Sequence, residues 1–332
     1  MNKRALGPFQ VGEIGLGCMN LSHAYGVPPP SAQAKAVLLR AVDLGVDHFD
    51  TASLYGFGRN EELVGEALKP FRSRITLASK CGMTGVDGVR VIDGRPASIK
   101  RDCEASLRRL QTEVIDLYYL HRWDKAVPIE DSVGAMAELV AEGKIRAIGL
   151  SEVSAATLLK AHKIHPIAAV QSEYSLWTRN VEIAVLKACH SIGASFVAFS
   201  PLARGFLTDT DLVPNNFSNK DIRRPMPRFQ EPHFSKNLAA LRTFRAQAAE
   251  WGLPASHLCL GWLLSQGDHI HPLIGTTSVA HLEEDIGATG LRLSREQLDR
   301  LDRLVNRQTI SGARYPLQVS LEVDTEEESP AA

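Results

Sequence analysis

The stretch IRAIGLSEVSAATLLKAHKIHPIAAVQS, residues 145–172, decides the fold. Its opening residues, Ile145–Ser151, are an apolar run of strand length; Ala155–Lys163 carries a helical spacing of apolar positions; Ala168–Ser172 returns to a strand. A strand, a helix and a second strand joined by short connections make a βαβ unit, whose strands run parallel. The same alternation continues outward in both directions. Upstream, strands are predicted at Val11–Gly17, Val46–Asp50, Ile75–Lys80 and Val114–His121, with helices at Ala32–Leu44, Glu61–Leu68, Ser98–Leu110 and Ile129–Glu142. Pro70 stops the second helix and Gly143 the fourth. Downstream, strands at Ser195–Ser200 and Pro272–Ile274 alternate with helices at Ile183–Ile192, Leu238–Trp251, Ala255–Gln266, Leu282–Thr289 and Arg295–Leu304.

Eight strands in strict βα alternation predict an α/β protein built as a closed (β/α)8 TIM barrel rather than an open sheet. No break in composition divides the chain, so residues 1–316 are expected to form a single domain. After the seventh strand comes a segment of about 35 residues rich in Asn, Asp, Arg and Pro, too long for a plain connection. Residues 317–332 are acidic and are expected to form a disordered tail.

Composition narrows the function. The chain has 332 residues, 44% hydrophobic and 23% charged, with 37 Lys+Arg against 38 Asp+Glu and a formal net charge of -1. That balance argues against a nucleic-acid partner. No apolar run reaches the ~18 residues of a membrane span, and the N-terminus lacks the apolar core of a signal peptide. A cytoplasmic protein with no membrane association is expected. The five cysteines are odd in number and widely spaced, without CxxC, which suggests neither a disulfide framework nor a zinc site; no metal is expected. The charge is uneven: Glu322, Asp324, Glu326, Glu327 and Glu328 crowd the C-terminus, and the rest of the chain is net positive.

Active sites of such barrels lie where strands end. The second strand ends in Asp50-Thr51 with Tyr55 just beyond, the third in Lys80, the fourth in His121, the fifth in Ser151-Glu152, the sixth in Gln171-Ser172-Glu173 and the seventh in Ser200. A lysine ammonium beside a tyrosine favours its phenolate and lowers its pKa. Asp50 would hold Lys80 charged and in place, and His121 could hydrogen-bond a substrate oxygen. Singly, each residue has an ordinary alternative: an Asp capping a helix, a Lys at the surface, a His in the core. Together at successive strand ends they predict a proton-transfer site.

Seven segments, FDTASLYG (49–56), LASKCG (77–82), IDLYYLHRWD (115–124), IRAIGLSEVS (145–154), VQSEYSLWTR (170–179), FSPLARGFL (199–207) and IGTTSVAHLEEDIGA (274–288), resemble the successive signatures of the aldo-keto reductase superfamily in order. The loop IRRPMPRFQ (222–230) is similar to that of the bacterial, plant and fungal branch of broad-specificity aldehyde and pyridoxal-type reductases. The resemblance implies NAD(P)H-dependent reduction of aldehydes or ketones, with a small-molecule carbonyl substrate and no metal or flavin. Tyr55 matches the general acid, Lys80 and Asp50 the pair that tunes it, and His121 the residue that orients the carbonyl.

The resemblance also implies cofactor contacts. Ser151 and Gln171 match positions that hold the nicotinamide carboxamide; Glu152 stands where the family often has Asn. Phe199 matches the aromatic that stacks on the nicotinamide, its alternative being a core residue. Ser200, Leu202, Arg204 and Gly205 match the loop that straddles the pyrophosphate. Gly275, Thr276, Thr277 and Ser278 stand where relatives place Lys or Arg for a 2′-phosphate, and His281 where an adenine-stacking Arg is common. Glu284 and Asp285 match adenine contacts, their alternative being a solvated helix face. NADP(H) is favoured, with NAD(H) the alternative. GLGCMN (15–20) lacks the third glycine of a dinucleotide fingerprint, so Gly17 and Met19 are placed instead at the barrel mouth near the cofactor. Tyr25, Trp123 and Trp177 are candidates for the substrate pocket or, alternatively, shielding aromatics packed on the barrel.

In the long loop, Lys220, Arg223, Arg224 and Arg228 form either a lid contacting cofactor phosphates or a surface loop paired with carboxylates. A cofactor-binding regulatory subunit, of the kind that partners a membrane channel, and a hydrolase on the same fold are the rival functions. The intact tetrad stands against the first; the lack of an HxH metal motif and of a glutamate pair stands against the second.

Overall fold

The computed structural model describes residues 2–86 and 89–327. Eight parallel strands close a barrel in the order β3 (Gly15–Gly17), β4 (His48–Asp50), β5 (Thr76–Cys81), β8 (Ile115–Leu120), β9 (Ile145–Ser151), β10 (Ile167–Glu173), β11 (Ser195–Phe199) and β12 (Ile270–Ile274), which pairs back to β3. The predicted (β/α)8 barrel is present. Helices α1 (Ser31–Asp43), α2 (Arg59–Leu68), α3 (Pro96–Leu110), α4 (Ile129–Ala141), α5 (Ala155–His162), α6 (Val185–Ser191), α8 (Ala255–Leu264) and α9 (Val279–Gly287) alternate with them; α7 (His233–Glu250) and α10 (Arg295–Leu304) are additional.

Strand periodicity places the chemistry. Side chains alternate between the helix-facing side and the barrel lumen. Ala78, Leu117, Tyr119, Ala147, Ala169, Val197 and Leu273 form one buried cluster, separate from the larger core that packs strands against helices. Two residues further along the same strands stand Lys80, Tyr119's successor His121, Gly149, Gln171, Phe199 and Gly275, and Asp50 occupies the same parity on β4 two residues after His48. Gly149 is a point of close packing: a Cβ there would lie 2.3 Å from the Tyr119 ring.

Three features differ from the expected pattern. The first predicted strand, Val11–Gly17, is broken. Residues Phe9–Gly12 (β2) pair antiparallel with Lys3–Leu6 (β1), and only Gly15–Gly17 joins the barrel. The break falls at Glu13, a fully buried carboxylate bonded to Arg292 and to the Gly290 amide, which turns the chain between the two sheets. Leu6 and Val11 of this hairpin pack against the lumen cluster and close the bottom of the barrel. A second hairpin, β6 (Met83–Val86) with β7 (Val89–Ile92), rises from the end of β5.

The third difference is the C-terminus. Residues 317–327, expected as a disordered tail, pack along the barrel rim, whereas 328–332, including Glu328, lie outside the described residues. Leu317–Ser320 (α11) forms a helical turn. The acidic residues find positive partners: Glu322 pairs with Arg90, the Asp324 carboxylate accepts from the Ser154 amide (3.1 Å) and hydroxyl (2.9 Å), and Glu326 accepts from the Ala155 amide at 2.7 Å. Ser154 is the N-cap of α5, so two carboxylates sit at the positive end of that helix. All five cysteines are buried and free. Among the described residues no helix is long and apolar enough to cross a membrane.

Candidate active site

A cavity of about 700 Å³ opens at the C-terminal ends of the strands. At its floor, Lys80 is fully buried; its ammonium is ion-paired with Asp50, donates to the Thr51 carbonyl at 2.8 Å, and lies 3.4 Å from the Tyr55 hydroxyl. The second Asp50 oxygen accepts from the Gln171 amide at 2.8 Å. Tyr55 sits edge-on to His121, ring centroids 5.7 Å apart, with His23 stacked on its other side at 6.2 Å. The four residues predicted at three successive strand ends therefore meet. Asp50, Tyr55 and His121 line the cavity, and Lys80 lies behind them.

The electrostatics depart from expectation at one point. Burial drives the Tyr55 hydroxyl above the usual tyrosine range; Lys80 pulls the other way without overcoming it. For Lys80, burial alone would depress the ammonium, but Asp50 and Tyr55 outweigh it and raise its pKa. His121 is pushed well below its ordinary value by burial, reinforced by Lys80 and Arg122, so the imidazole is neutral at pH 7, and its Nδ1 has no hydrogen-bond partner among the described residues.

From this floor the cavity runs past Ser151, Gln171 and Phe199 at the ends of β9–β11, then Ser200, Leu202, Arg204 and Gly205, and reaches Gly275, Thr276, Thr277, His281, Glu284 and Asp285 before and along α9. Gly17, Met19 and Tyr25 line its other side. Gly205 has φ +84, the left-handed conformation that glycine adopts without penalty. Ser278 does not line the cavity; it caps α9 by accepting from the His281 amide. Asp285 is buried, and burial with the adjacent Glu284 pushes its carboxyl up to about 8. Glu284 accepts from the Ser256 hydroxyl at 2.6 Å.

Two of the three candidate pocket aromatics lie elsewhere. Trp177 is buried against Phe206 and Phe229, ring centroids 4.9 and 5.6 Å away, under the Arg228 guanidinium. Trp123 donates to the Val127 carbonyl at 2.9 Å within its own loop. Neither lines the cavity; of the three, Tyr25 alone does. In the long loop, Arg223 pairs with Asp221 and lies over Phe217, while Arg228 donates to the Thr178 hydroxyl and the Gly312 carbonyl. Both cations anchor the loop, Arg223 through the carboxylate pairing that one alternative anticipates and Arg228 through neutral oxygens; Lys220 and Arg224 are exposed.

Arg204, matched by resemblance to a pyrophosphate loop, points its guanidinium into a second buried cluster. It pairs with Glu173 at 2.6 Å; Arg314 pairs with Glu173 at 3.2 Å and with Glu152; and the Tyr315 hydroxyl lies 3.1 Å from the Arg314 guanidinium. Burial pushes the Glu173 carboxyl up, but Arg204, Arg314 and Arg228 outweigh it and hold it at about 2. Glu152, Ser200, Ala203 and Arg204 all have positive φ, so this cluster fixes backbone that would otherwise be strained. Sequence reasoning missed Arg122, His23, Arg90 and Tyr315, all of which line the cavity. Arg122 had a usable signal, its place directly after a strand-end histidine; the others approach from separate loops.

A barrel with this tetrad at the foot of an elongated cleft defines an oxidoreductase of the aldo-keto type. The chain belongs to the aldo/keto reductase family, whose pattern matches residues 13–306. It is 40% identical over 310 residues to a probable aldo-keto reductase 1 of Glycine max, covering 92% of this chain and 89% of that protein. Among solved structures it is similar to a glycerol dehydrogenase from Gluconobacter oxydans, with a TM-score of 0.84, 30% identity, and 91% and 94% of the two chains covered. An aldo/keto reductase from Klebsiella pneumoniae, solved with NADP and acetate, matches with a TM-score of 0.73 and 28% identity over 95% and 99% of the two chains.

Proposed function

We propose that the protein reduces aldehydes or ketones to alcohols with NADPH, Tyr55 serving as proton donor. The observation that carries this reading is the buried Lys80 ammonium, ion-paired with Asp50 and 3.4 Å from the Tyr55 hydroxyl at the closed end of the cavity. The residues present fit a nicotinamide dinucleotide. Phe199 offers a ring on the cavity wall, Gly205 an uncrowded backbone, and Thr276, Thr277 and His281 polar groups at the positive end of α9. NADP in the Klebsiella relative supports the choice of cofactor. When bound, the cofactor supplies hydride to the carbonyl carbon.

The chain's own residues do the rest. His121, neutral and beside Tyr55, offers a hydrogen bond that orients the carbonyl oxygen. Tyr55 protonates that oxygen as negative charge develops on it. Lys80 places positive charge at hydrogen-bond distance from the phenolate left behind, and Asp50 keeps that charge fixed. Donors preset around a developing oxyanion in a water-poor site lower the barrier by several kcal/mol. In reverse, the Tyr55 phenolate takes the alcohol proton.

The test is loss of NADPH absorbance with a generic aldehyde such as 4-nitrobenzaldehyde. Tyr55→Phe should reduce kcat/KM by about 10²–10⁴-fold while leaving NADPH binding intact; unchanged turnover overturns the mechanism. A parallel assay with NADH decides between the two nicotinamide cofactors.

A further inference from the structure

Four arginines line the cavity: Arg90, Arg122, Arg204 and Arg223. Three have a carboxylate partner within the protein, namely Glu322, Glu173 and Asp221. Arg122 has none among the described residues. Its Nη1 donates to two neutral oxygens, the His121 carbonyl at 2.7 Å and the Ser151 hydroxyl at 3.4 Å. Its Nε is buried without a hydrogen-bond partner among the described residues. The edge of the guanidinium formed by Nε and Nη2 is therefore uncommitted, although a buried donor left unpaired costs free energy. Nε has no accessible surface, so the donor left for a carboxylate oxygen is the Nη2 amino group of a residue that lines the cavity.

Its place is equally specific. Arg122 follows His121 at the end of β8, and its charge acts on both the Tyr55 hydroxyl and the His121 ring. The uncommitted cation thus stands at the reacting end of the cavity, away from Thr276 and Thr277 at the α9 end. Asp50, the carboxylate lining this end, is already taken by Lys80 and Gln171.

We infer that Arg122 is a carboxylate-binding, specificity-determining residue, and that the preferred substrates are carbonyl compounds bearing a carboxylate that reaches its Nη2 while the carbonyl oxygen meets Tyr55 and His121. The inference rests on the reductase reading above and narrows it to a substrate class. For Arg122 the substrate carboxylate takes the place that Glu322, Glu173 and Asp221 fill for the other three arginines.

The experiment compares charged and neutral partners of the same shape. With NADPH-loaded enzyme, kcat/KM is measured for 4-carboxybenzaldehyde against methyl 4-formylbenzoate, and for succinic semialdehyde against its methyl ester. In at least one pair the acid should exceed the ester by about tenfold or more, chiefly through KM. Arg122→Gln should bring that ratio close to one, and Arg122→Lys, which keeps the charge but not the guanidinium, should retain part of it. Any general effect of the substitution on the chemistry cancels in the ratio. Calorimetric titration of benzoate into the protein alone, with methyl benzoate as control, needs no turnover: benzoate should bind and Arg122→Gln should abolish its binding.

A wild-type ratio near one in both pairs, a ratio that survives Arg122→Gln, or benzoate binding that persists in that variant overturns the inference. So does a variant that raises KM for NADPH alone, which would assign Arg122 to the cofactor. If the neutral esters are not reduced either, the reductase reading itself has failed; turnover of the esters without preference for the acids removes the carboxylate site alone.

Discussion

Two buried charge clusters stand side by side on the rim of this barrel, and they differ in what is left over. The cluster at the ends of β4, β5 and β8 pairs Lys80 with Asp50 and then extends, through the Tyr55 hydroxyl and the neutral His121, to the cavity surface. The cluster at the ends of β9 and β10 sets two carboxylates, Glu152 and Glu173, against two guanidiniums, Arg204 and Arg314. Its ion pairs match two against two, and the nearby Arg228 guanidinium adds a third positive charge acting on Glu173. The ingredients are alike, and both are almost free of solvent. On the proposed reading, chemistry belongs to the cluster that ends in an uncommitted donor facing the cavity; the saturated one ties the strand ends, the loop after β11 and the C-terminal segment together.

The largest effect should come from Lys80→Met. It strands Asp50 as an unpaired buried charge and removes the cation beside Tyr55, so kcat/KM should fall by about 10²–10⁴-fold in the NADPH assay, with a loss of stability in thermal melts. Arg314→Met strands Glu152 instead and should destabilise by about 3–5 kcal/mol, read by urea unfolding, while Tyr55-dependent chemistry survives at temperatures where the variant is folded. If Arg314→Met abolished turnover without lowering stability, the contrast between the clusters would be broken.

Buried histidines sharpen it. His48 and His271, at the lower end of the barrel, are depressed by burial to about 4 and about 3. Neither lines the cavity. A depressed imidazole therefore does not by itself mark a site. Because the folded values lie below the unfolded one, near 6.5, the unfolded chain takes up protons first as pH falls. Stability should be fully present above pH ~6.5 and decline below it, by about 1.4 kcal/mol per pH unit for each such histidine, until the folded values are passed. Urea titrations across pH 5–7 measure this slope; a flat profile would contradict it. The smallest effect is expected for Arg204→Lys, which keeps charge near Glu173 but loses the planar fork, at about 1 kcal/mol in the same melts.

Much of the barrel was legible because a strand period of two and a helix period near 3.6 leave strong local traces. The run Ile145–Ser151 matches its observed strand residue for residue. Asp50, Lys80 and His121 were legible as polar ends of apolar strands, for the same reason. What could not be read depends on partners distant in sequence. Arg314 reaches Glu152, and Asp324 reaches Ser154, across more than a hundred residues, and no local pattern announces such pairs. The break at Glu13 follows from Arg292, near the other end of the chain. Trp177 looked like a pocket aromatic because it follows a strand, yet Phe206, Phe229 and Arg228 claim it from another loop.

The shared inward parity of Asp50, Lys80, His121, Gln171 and Phe199 has a consequence for how such a chain can diverge. One inserted or deleted residue within any of these strands would turn its functional side chain from the lumen toward the helices, because the pleat repeats every two positions. Point substitution can therefore explore the strands, but changes in length cannot. Length variation is confined to the segments beyond the strand ends, among them the β6–β7 hairpin, the loop after β11 and residues 310–327, which shape the walls rather than the reacting floor. The strand-borne side chains at the floor and the segments that shape the cavity walls are thus exposed to different kinds of genetic change, and can drift independently.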